Sequence, residues 1–131
     1  MSHDKLMAEL DRRRADASRM GGPDKLAARA KRGQLSAQER LDALVDEGSF
    51  MELGLLGASV FDADADATPR DGKITGFGKV GGRDVGVVIN DFTTKGSSTS
   101  ATNSRKMGYI RRTCTERGMP FLHIGESTGA R

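Results

Sequence analysis

The sequence has few of the residues that build a large hydrophobic core or a disulfide framework. Its 131 residues include no tryptophan, one tyrosine, three prolines and one cysteine. A single cysteine excludes an internal disulfide and suits a reducing compartment. Apolar residues make up 36% of the chain, which is low for a self-sufficient globular domain. We therefore expect one modest domain whose thin core packs against surfaces outside these residues, as in a fragment of a longer protein.

The sequence also lacks an apolar segment long enough to span a membrane. Residues 1–5 are polar or charged apart from Met1, so the apolar region of a signal peptide is missing. We therefore expect a cytoplasmic protein without a membrane partner.

Positive charge is clustered along the chain, although the net charge is only +3. The clusters fall in residues 12–14, 29–32 and 105–112. Such clusters are typical of solvated helix faces, and the alternative is attraction for a phosphorylated ligand or nucleic acid. No aromatic residues alternate with the basic ones, which argues against a platform that stacks single-stranded bases.

Residues 1–48 are predicted to form a polar, helical N-terminal segment. Polar and apolar spacing predicts three helices, over 3–19, 24–32 and 36–48. The third begins with a capping box, in which the Ser36 hydroxyl and the Glu39 carboxylate each accept from a backbone amide. Gly48 is predicted to end it.

Residues 49–131 are predicted to form the first part of a truncated domain that follows this helical segment. A short strand is expected over 50–53, and the acid–alanine alternation over 61–67 is expected to be an exposed, mobile loop. An EF-hand beginning at Asp62 would require glycine at position 67 and glutamate at position 73, where the chain has Ala67 and Lys73. We therefore predict no metal site.

Polar and apolar residues alternate over 72–90 as in two strands, which are joined by Gly81-Gly82. This pattern predicts a β-hairpin. Its second strand is almost continuously apolar and is expected to be central in the sheet. The spacing Gly76-x-Gly78-x-x-Gly81 matches a dinucleotide-binding fingerprint. That fingerprint must follow a strand and open a helix, and here it lies inside a strand, so we reject a Rossmann fold.

A polar loop follows the hairpin, and then a helix over 101–117 and a strand over 121–124 are predicted. Gly118 stands where a helix favours a left-handed residue. If the second hairpin strand and the strand over 121–124 are parallel neighbours, the loops that follow them, at 94–97 and 126–129, meet at one edge of the sheet. Converging backbone amides can stabilise an oxyanion, whereas the alternative is a pair of ordinary turns.

The chain resembles the carboxyltransferase (β) subunits of biotin-dependent acyl-CoA carboxylases of the propionyl-CoA and acetyl-CoA carboxylase type. The stretches that carry the resemblance are KRGQLSAQERL at 31–41, LVDEGSFME at 44–52, DGKITGFG at 71–78 with NDFT at 90–93, and ESTGAR at 126–131.

This resemblance implies an α/β, crotonase-like fold of β-β-α units and a homo-hexamer when the protein is full length. It implies an acyl-CoA substrate, biotin carried by a partner, and biotin carboxylase and biotin carboxyl carrier subunits as partners. The implied reaction moves a carboxyl group from carboxybiotin to the α-carbon of the acyl-CoA through an enolate. A fragment of this length is expected to be inactive alone.

The resemblance also assigns site residues. Thr128 and Gly129 stand where the family usually has Gly-Gly, and Gly96 and Ser97 stand in its Gly-Gly-Ser loop, so these four are predicted oxyanion donors through their backbone N–H groups. Because a side chain replaces one glycine in each loop, we expect the protein's preference among acyl chains to differ from that of the family.

Arg29 and Arg32 are predicted to contact CoA phosphates. Ser127 is not expected to be a nucleophile, and His123 is expected to be a core residue. A CoA-thioester decarboxylase subunit and a non-catalytic assembly or nucleic-acid-binding module remain the alternatives.

Overall fold

The computed structural model describes residues 2–131, which form a four-stranded sheet with helices on both faces and an N-terminal helical segment. The helices are α1 (His3–Ser18), α2 (Pro23–Lys31), α3 (Ala37–Leu44), α4 (Asp62–Ala65) and α5 (Ala101–Arg117). The strands are β1 (Met51–Glu52), β2 (Lys73–Val80), β3 (Arg83–Asn90) and β4 (Phe121–Ile124). Short 3-10 turns cover Pro69–Gly72 and Lys95–Ser97.

The sheet follows chain order, β1-β2-β3-β4. β1 pairs antiparallel with β2, β2 pairs antiparallel with β3, and β3 pairs in parallel with β4. The predicted hairpin is confirmed, and Gly81 and Gly82 both have positive φ, at 57° and 79°. Two successive positive φ values are the signature of a type I′ turn, which matches the twist of the strands it joins. β3 is central, as its apolar run predicted.

Two apolar clusters hold the sheet between helices, one cluster on each of its faces. Alternate side chains of the hairpin pack with Leu41 of α3 in the first cluster. Val88 packs with Ile110 and Cys114 of α5 in the second. α5 lies close to the sheet because β3 has a glycine at its crossing point: a Cβ on Gly86 would lie 2.2 Å from the Cys114 sulfur.

Helix α3 has the predicted capping box, with the Ser36 hydroxyl 3.1 Å from the Glu39 amide and the Glu39 carboxylate 2.7 Å from the Ser36 amide. The predicted end at Gly48 is wrong, because the helix stops at Leu44. The backbone is extended at Val45, and the carboxylate of Asp46 accepts from the Gly81 and Gly82 amides at 2.9 and 2.7 Å. These contacts with the hairpin turn replace another helical turn.

The acid–alanine stretch at 61–67 was expected to be a mobile loop, and it instead contains the one-turn helix α4. The Thr68 hydroxyl donates to the Asp64 carbonyl at 2.9 Å and accepts from the Ser59 amide at 2.9 Å. Lys95 pairs with the Asp64 carboxylate at 3.2 Å. The stretch remains largely exposed, and these bonds give it a fixed shape.

The other predicted helices and strands are confirmed to within a residue or two at each end. Gly118 caps α5 in the left-handed region, with φ 66°. Within residues 2–131, every helix is too short or too polar to cross a membrane.

Candidate functional site

Two loops meet where the parallel strands β3 and β4 end, as predicted. We call residues 94–98 the first loop and residues 125–131 the second loop. The Thr128 amide donates to the Gly96 carbonyl at 3.0 Å, and the Thr99 amide donates to the Gly129 carbonyl at 2.7 Å. The Arg131 amide donates back to Thr99 at 2.9 Å. The ladder between β3 and β4 is therefore extended by direct bonds between the two loops.

The first loop has a tightly constrained backbone. Lys95, Gly96 and Ser97 all have positive φ, at 48°, 59° and 49°. A Cβ on Gly96 would lie 2.5 Å from the Thr128 side chain, so glycine is required here by both conformation and space. Left-handed backbone at non-glycine residues is unfavourable and is concentrated at functional sites.

The predicted oxyanion donors differ in how their amides are used. Ser97 donates to the Thr94 carbonyl at 2.8 Å, Thr128 donates to Gly96, and Gly129 donates to the Ser127 hydroxyl at 3.1 Å. The Gly96 amide finds no acceptor within residues 2–131. An oxyanion donor needs a free N–H, so the geometry favours Gly96 over the other three. The assignment of all four remains a prediction.

The end of the second loop is fixed by a buried carboxylate. Asp71 is fully buried and pairs with the Arg131 guanidinium. Asp71 also accepts from the Ser100 hydroxyl and from the Asn103 amide, the latter at 2.9 Å. Arg131 donates in addition to the Ser98 hydroxyl at 2.7 Å. The Asp71 carboxylate therefore joins the second loop to the N-terminus of α5, and Arg131 connects both to the first loop.

The start of the second loop is tied to the helical segment through an ion pair. The guanidinium of Arg29 lies 3.0 and 2.9 Å from the two Glu126 carboxylate oxygens, and Arg40 lies 3.1 Å from the same carboxylate. The hydrogen bond from Arg29 is the main reason that the pKa of Glu126 is lowered. Arg29 also lies 5.9 Å from the Phe92 ring centroid.

A cleft of about 460 Å³ opens between α2 and the two loops. It is lined by Lys25, Ala28, Arg29, Arg32, Gln34, Phe92, Thr93, Lys95, Gly96, Glu126 and Thr128. The cleft therefore brings together both predicted phosphate-binding arginines and one predicted oxyanion residue from each loop. Ser97 and Gly129 do not line it.

Some charged side chains of this cleft are paired with other residues, and others are not. Arg29 is 8% exposed and its donors face Glu126, whereas Arg32 is exposed and makes no ion pair with any residue from 2 to 131. Lys25 donates to the Thr93 carbonyl at 3.1 Å. Arg32 and Lys25 therefore supply a positive rim, to which an anionic group can bind, whereas Lys95 beside them is paired with Asp64.

Sequence reasoning missed Lys25 and Lys95 as lining residues. Lys25, Arg29 and Arg32 are spaced at i, i+4 and i+7 along α2, which places them on one helical face. Lys95 immediately precedes Gly96 in the first loop. Both signals were present in the sequence, but neither indicates a cleft until the loops and α2 are known to meet.

A larger cleft, of about 630 Å³, lies between α1 and residues 55–70. Its arginines Arg12 and Arg13 are paired with Glu9 at 2.8 Å. The basic cluster at 12–14 is thus neutralised locally, and this cleft is a weaker candidate for an anionic ligand.

His123 is not the core residue that was predicted. It is exposed, and its Nε2 lies 3.0 Å from the Asn90 side-chain oxygen. Partial desolvation of the ring, followed by the charge of Lys73, lowers the pKa of His123. The Ser127 hydroxyl contacts the Ser97 and Gly129 carbonyls, at 3.2 and 3.3 Å, and so has the partners of a structural serine. Residues 2–131 contain no group of three metal-ligating side chains suited to a metal ion.

Sequence comparison finds relatives that are named as carboxylase subunits. The propionyl-CoA carboxylase beta chain of Cereibacter sphaeroides is 38% identical over 129 residues, which cover 96% of this chain and 25% of the relative. The biotin-dependent long chain acyl-coenzyme A carboxylase beta4 subunit of Mycobacterium tuberculosis is 39% identical over 125 residues, which cover 95% of this chain and 24% of the relative. The chain thus spans about a quarter of the length of the curated relatives it matches.

Structural comparison agrees with the sequence comparison. Transcarboxylase 12S, solved with methylmalonyl-CoA and methylmalonic acid bound, matches with a TM-score of 0.91 and 30% identity, over 100% of this chain and 26% of that chain. A single-chain, multi-domain long-chain acyl-CoA carboxylase matches with a TM-score of 0.88 and 28% identity, over 100% of this chain and 14% of that chain.

These similarities establish the predicted crotonase-like fold. The carboxyl transferase domain family matches residues 28–131, which are most of the chain and include both loops and every residue that lines the cleft except Lys25. The chain belongs to the carboxyl transferase domain family.

Proposed function

We propose that this chain supplies the acyl-CoA side of the carboxyltransferase site in a biotin-dependent acyl-CoA carboxylase. The observation that carries the proposal is the cleft in which the positive rim of Lys25 and Arg32 lies across from Gly96 of the first loop. CoA has phosphates at one end and a thioester at the other, so its ligand chemistry matches both parts of the cleft. The names of the relatives, propionyl-CoA and long chain acyl-CoA carboxylase subunits, support this class of substrate.

The residues of this chain would act through electrostatics and positioning. Loss of a proton from the carbon next to a thioester places negative charge on the thioester oxygen. A backbone amide aimed at that oxygen in a dry site stabilises it by roughly 3 kcal/mol, and the Gly96 amide is available for this role. The positive rim would hold the CoA phosphates and orient the acyl group toward the loops.

Among residues 2–131, no side chain near the loops is poised as a general base. Glu126 is held as a carboxylate acceptor by Arg29 and Arg40, and His123 is bonded to Asn90. The biotin of a partner protein would, once carboxylated, supply the carboxyl group, and the biotin nitrogen that gives it up would take the α-proton. The chain's own contribution is therefore to bind the acyl-CoA and to stabilise developing charge.

Assembly and domain organisation follow the same proposal. The proposed N-terminal segment, residues 1–48, includes α2, which lines one side of the cleft, and residues 49–131 are the proposed crotonase-like part. The proposed partners are biotin carboxylase and biotin carboxyl carrier subunits, and the proposed assembly is a homo-hexamer. The description of transcarboxylase 12S as a hexamer supports that assembly.

The test is a carboxylation assay on the protein isolated from its own cells through an N-terminal tag, together with any bound partners. We expect ATP-dependent transfer of radiolabelled bicarbonate into propionyl-CoA or another acyl-CoA, and we expect avidin to abolish it. Release of CO₂ from methylmalonyl-CoA without ATP would indicate the decarboxylase alternative. Absence of both activities across short and long acyl-CoAs would contradict the proposal.

A further inference from the structure

We propose that Lys73 is a positioning residue, whose ammonium group, together with the Asn90 amide, holds the first and second loops in register. This inference rests on the proposed function, because the loops it positions are the ones assigned to the acyl-CoA thioester. Lys73 is the first residue of β2, one strand away from β3, to which the first loop is attached.

The ammonium group of Lys73 is buried and bonded almost entirely to the first loop. Lys73 is 1% exposed, and its Nζ lies 3.0 Å from the Ser97 carbonyl and 3.1 Å from the Ser97 hydroxyl. The third acceptor is the Asn90 side-chain oxygen, at 3.2 Å. A lysine ammonium has three donors, and all three are used.

Asn90 extends this connection to the second loop. Its side-chain nitrogen donates to the Glu126 carbonyl at 3.1 Å. The Ser127 hydroxyl donates to the same Ser97 carbonyl that Lys73 holds, at 3.2 Å. Lys73, Asn90 and Ser97 therefore form a continuous network that joins both loops from beneath.

The chemistry of this position calls for an explanation beyond packing. A buried charge is unfavourable unless its hydrogen bonds are satisfied, and an apolar side chain would fill a buried strand position more easily. The partners of Lys73 are neutral oxygens rather than a carboxylate. A lysine at this site can donate a hydrogen bond to the backbone of the first loop, and an apolar residue cannot. Burial also lowers the pKa of Lys73, while the nearby charges of Asp71 and Arg131 act in opposite directions.

The first test is hydrogen exchange on the purified chain, with Lys73→Met as the variant. Methionine has a similar volume and no donor. We expect amides of both loops, including Ser97, Ser98 and Thr128, to exchange about tenfold faster, because a hydrogen bond to a charged group is lost beneath them. The matched control is Lys79→Met, which removes an exposed lysine from the same strand and should leave both loops unchanged.

A second variant keeps the test decisive if Lys73→Met does not fold. Asn90→Ala removes the link to the Glu126 carbonyl and one of the three acceptors of Lys73, while both bonds from Lys73 to Ser97 remain. We therefore expect faster exchange in the second loop and a smaller change in the first. Unchanged exchange in the second loop in either folded variant would overturn the proposal, because Lys73 would then support at most one loop.

The catalytic readout separates this proposal from the proposed function. In the native carboxylase carrying Lys73→Met, we expect kcat to fall about a hundredfold while KM for the acyl-CoA stays within about threefold, because misplaced loops affect charge stabilisation more than phosphate binding. An equal kcat in variant and wild type would overturn the positioning role. An inactive wild type with intact loop coupling would instead count against the proposed function alone.

Discussion

The Arg29 guanidinium and the Glu126 carboxylate lie side by side, joined by two hydrogen bonds of 3.0 and 2.9 Å. The pair connects α2 with the second loop, which are 97 residues apart in sequence. Arg29 is thus a structural link within the cleft, and Arg32, directly after α2, is the exposed arginine that lines it.

Replacing Glu126 with glutamine should destabilise the chain by about 2 kcal/mol, since it leaves the buried Arg29 guanidinium with a weaker partner. Because the pKa of Glu126 is lowered in the folded chain, the stabilising effect is present above pH 4.5 and is lost as the pH falls through the folded-state value. Urea unfolding of both proteins at pH 7 and pH 3 measures this difference. Asp84→Asn, in an exposed pair with Lys79, is the control and should change stability by less than about 1 kcal/mol.

Gly96→Ala should destabilise the chain by about 2 kcal/mol, because alanine is strained at φ 59° and its Cβ would meet the Thr128 side chain at 2.5 Å. Thermal unfolding measures the loss. Gly108→Ala makes a matched comparison of opposite sign: it lies in α5, has open space around its Cβ and should stabilise the chain by about 0.5–1 kcal/mol. Equal effects at the two glycines would show that the contact between the loops is not as described.

Gly86→Ala should destabilise the chain by about 2 kcal/mol, because its Cβ would overlap the Cys114 sulfur at 2.2 Å and force α5 away from β3. Cys114→Ala removes that sulfur, so the double variant should recover much of the loss relative to Cys114→Ala alone. The measurement is a double-mutant cycle by denaturant unfolding. Strict additivity of the two changes would contradict the close packing of α5 on β3.

Lys106→Met should remove a pH dependence of stability. Burial lowers the pKa of Lys106 to about 8, and its ammonium donates to the Arg70 and Lys73 carbonyls, both at 2.6 Å. The unfolded chain therefore binds more protons than the folded chain between about pH 8 and 10.5, and stability rises with pH in that range.

Urea unfolding at pH 7.5 and 9.5 should show wild type gaining about 2 kcal/mol relative to Lys106→Met. Lys79→Met, which changes an exposed lysine, should follow the wild-type pH dependence. A parallel response of wild type and Lys106→Met would mean that Lys106 titrates normally in the folded chain.

Local signals in the sequence were enough to predict most of the fold. The Ser36–Glu39 capping box, the Gly81-Gly82 turn and the Gly118 cap act within a few residues, so their structures follow from nearby sequence. The end of α3 could not be predicted, because Asp46 leaves the helix to bind the amides of the distant hairpin turn.

The candidate site was predictable in part. Parallel pairing of β3 and β4 follows from their patterns and the intervening helix, and it brings the two loops together. The burial of Lys73 and the pairing of Arg29 with Glu126 depend on tertiary contacts across 24 and 97 residues. A lysine at the start of a strand is expected to be exposed, and no local pattern indicates an ion pair between distant segments. Neither role could therefore be predicted from the sequence.

The most direct test of an acyl-CoA cleft is to map propionyl-CoA binding on the isotope-labelled chain by NMR. We predict that the amide signals of Gly96 and Thr128 shift together with those of Arg32 and Lys95. Arg32→Gln should weaken binding about fivefold, which a phosphate contact of roughly 1 kcal/mol would produce. Shifts confined to the cleft between α1 and residues 55–70, or an affinity unchanged by Arg32→Gln, would contradict the assignment of this cleft to acyl-CoA.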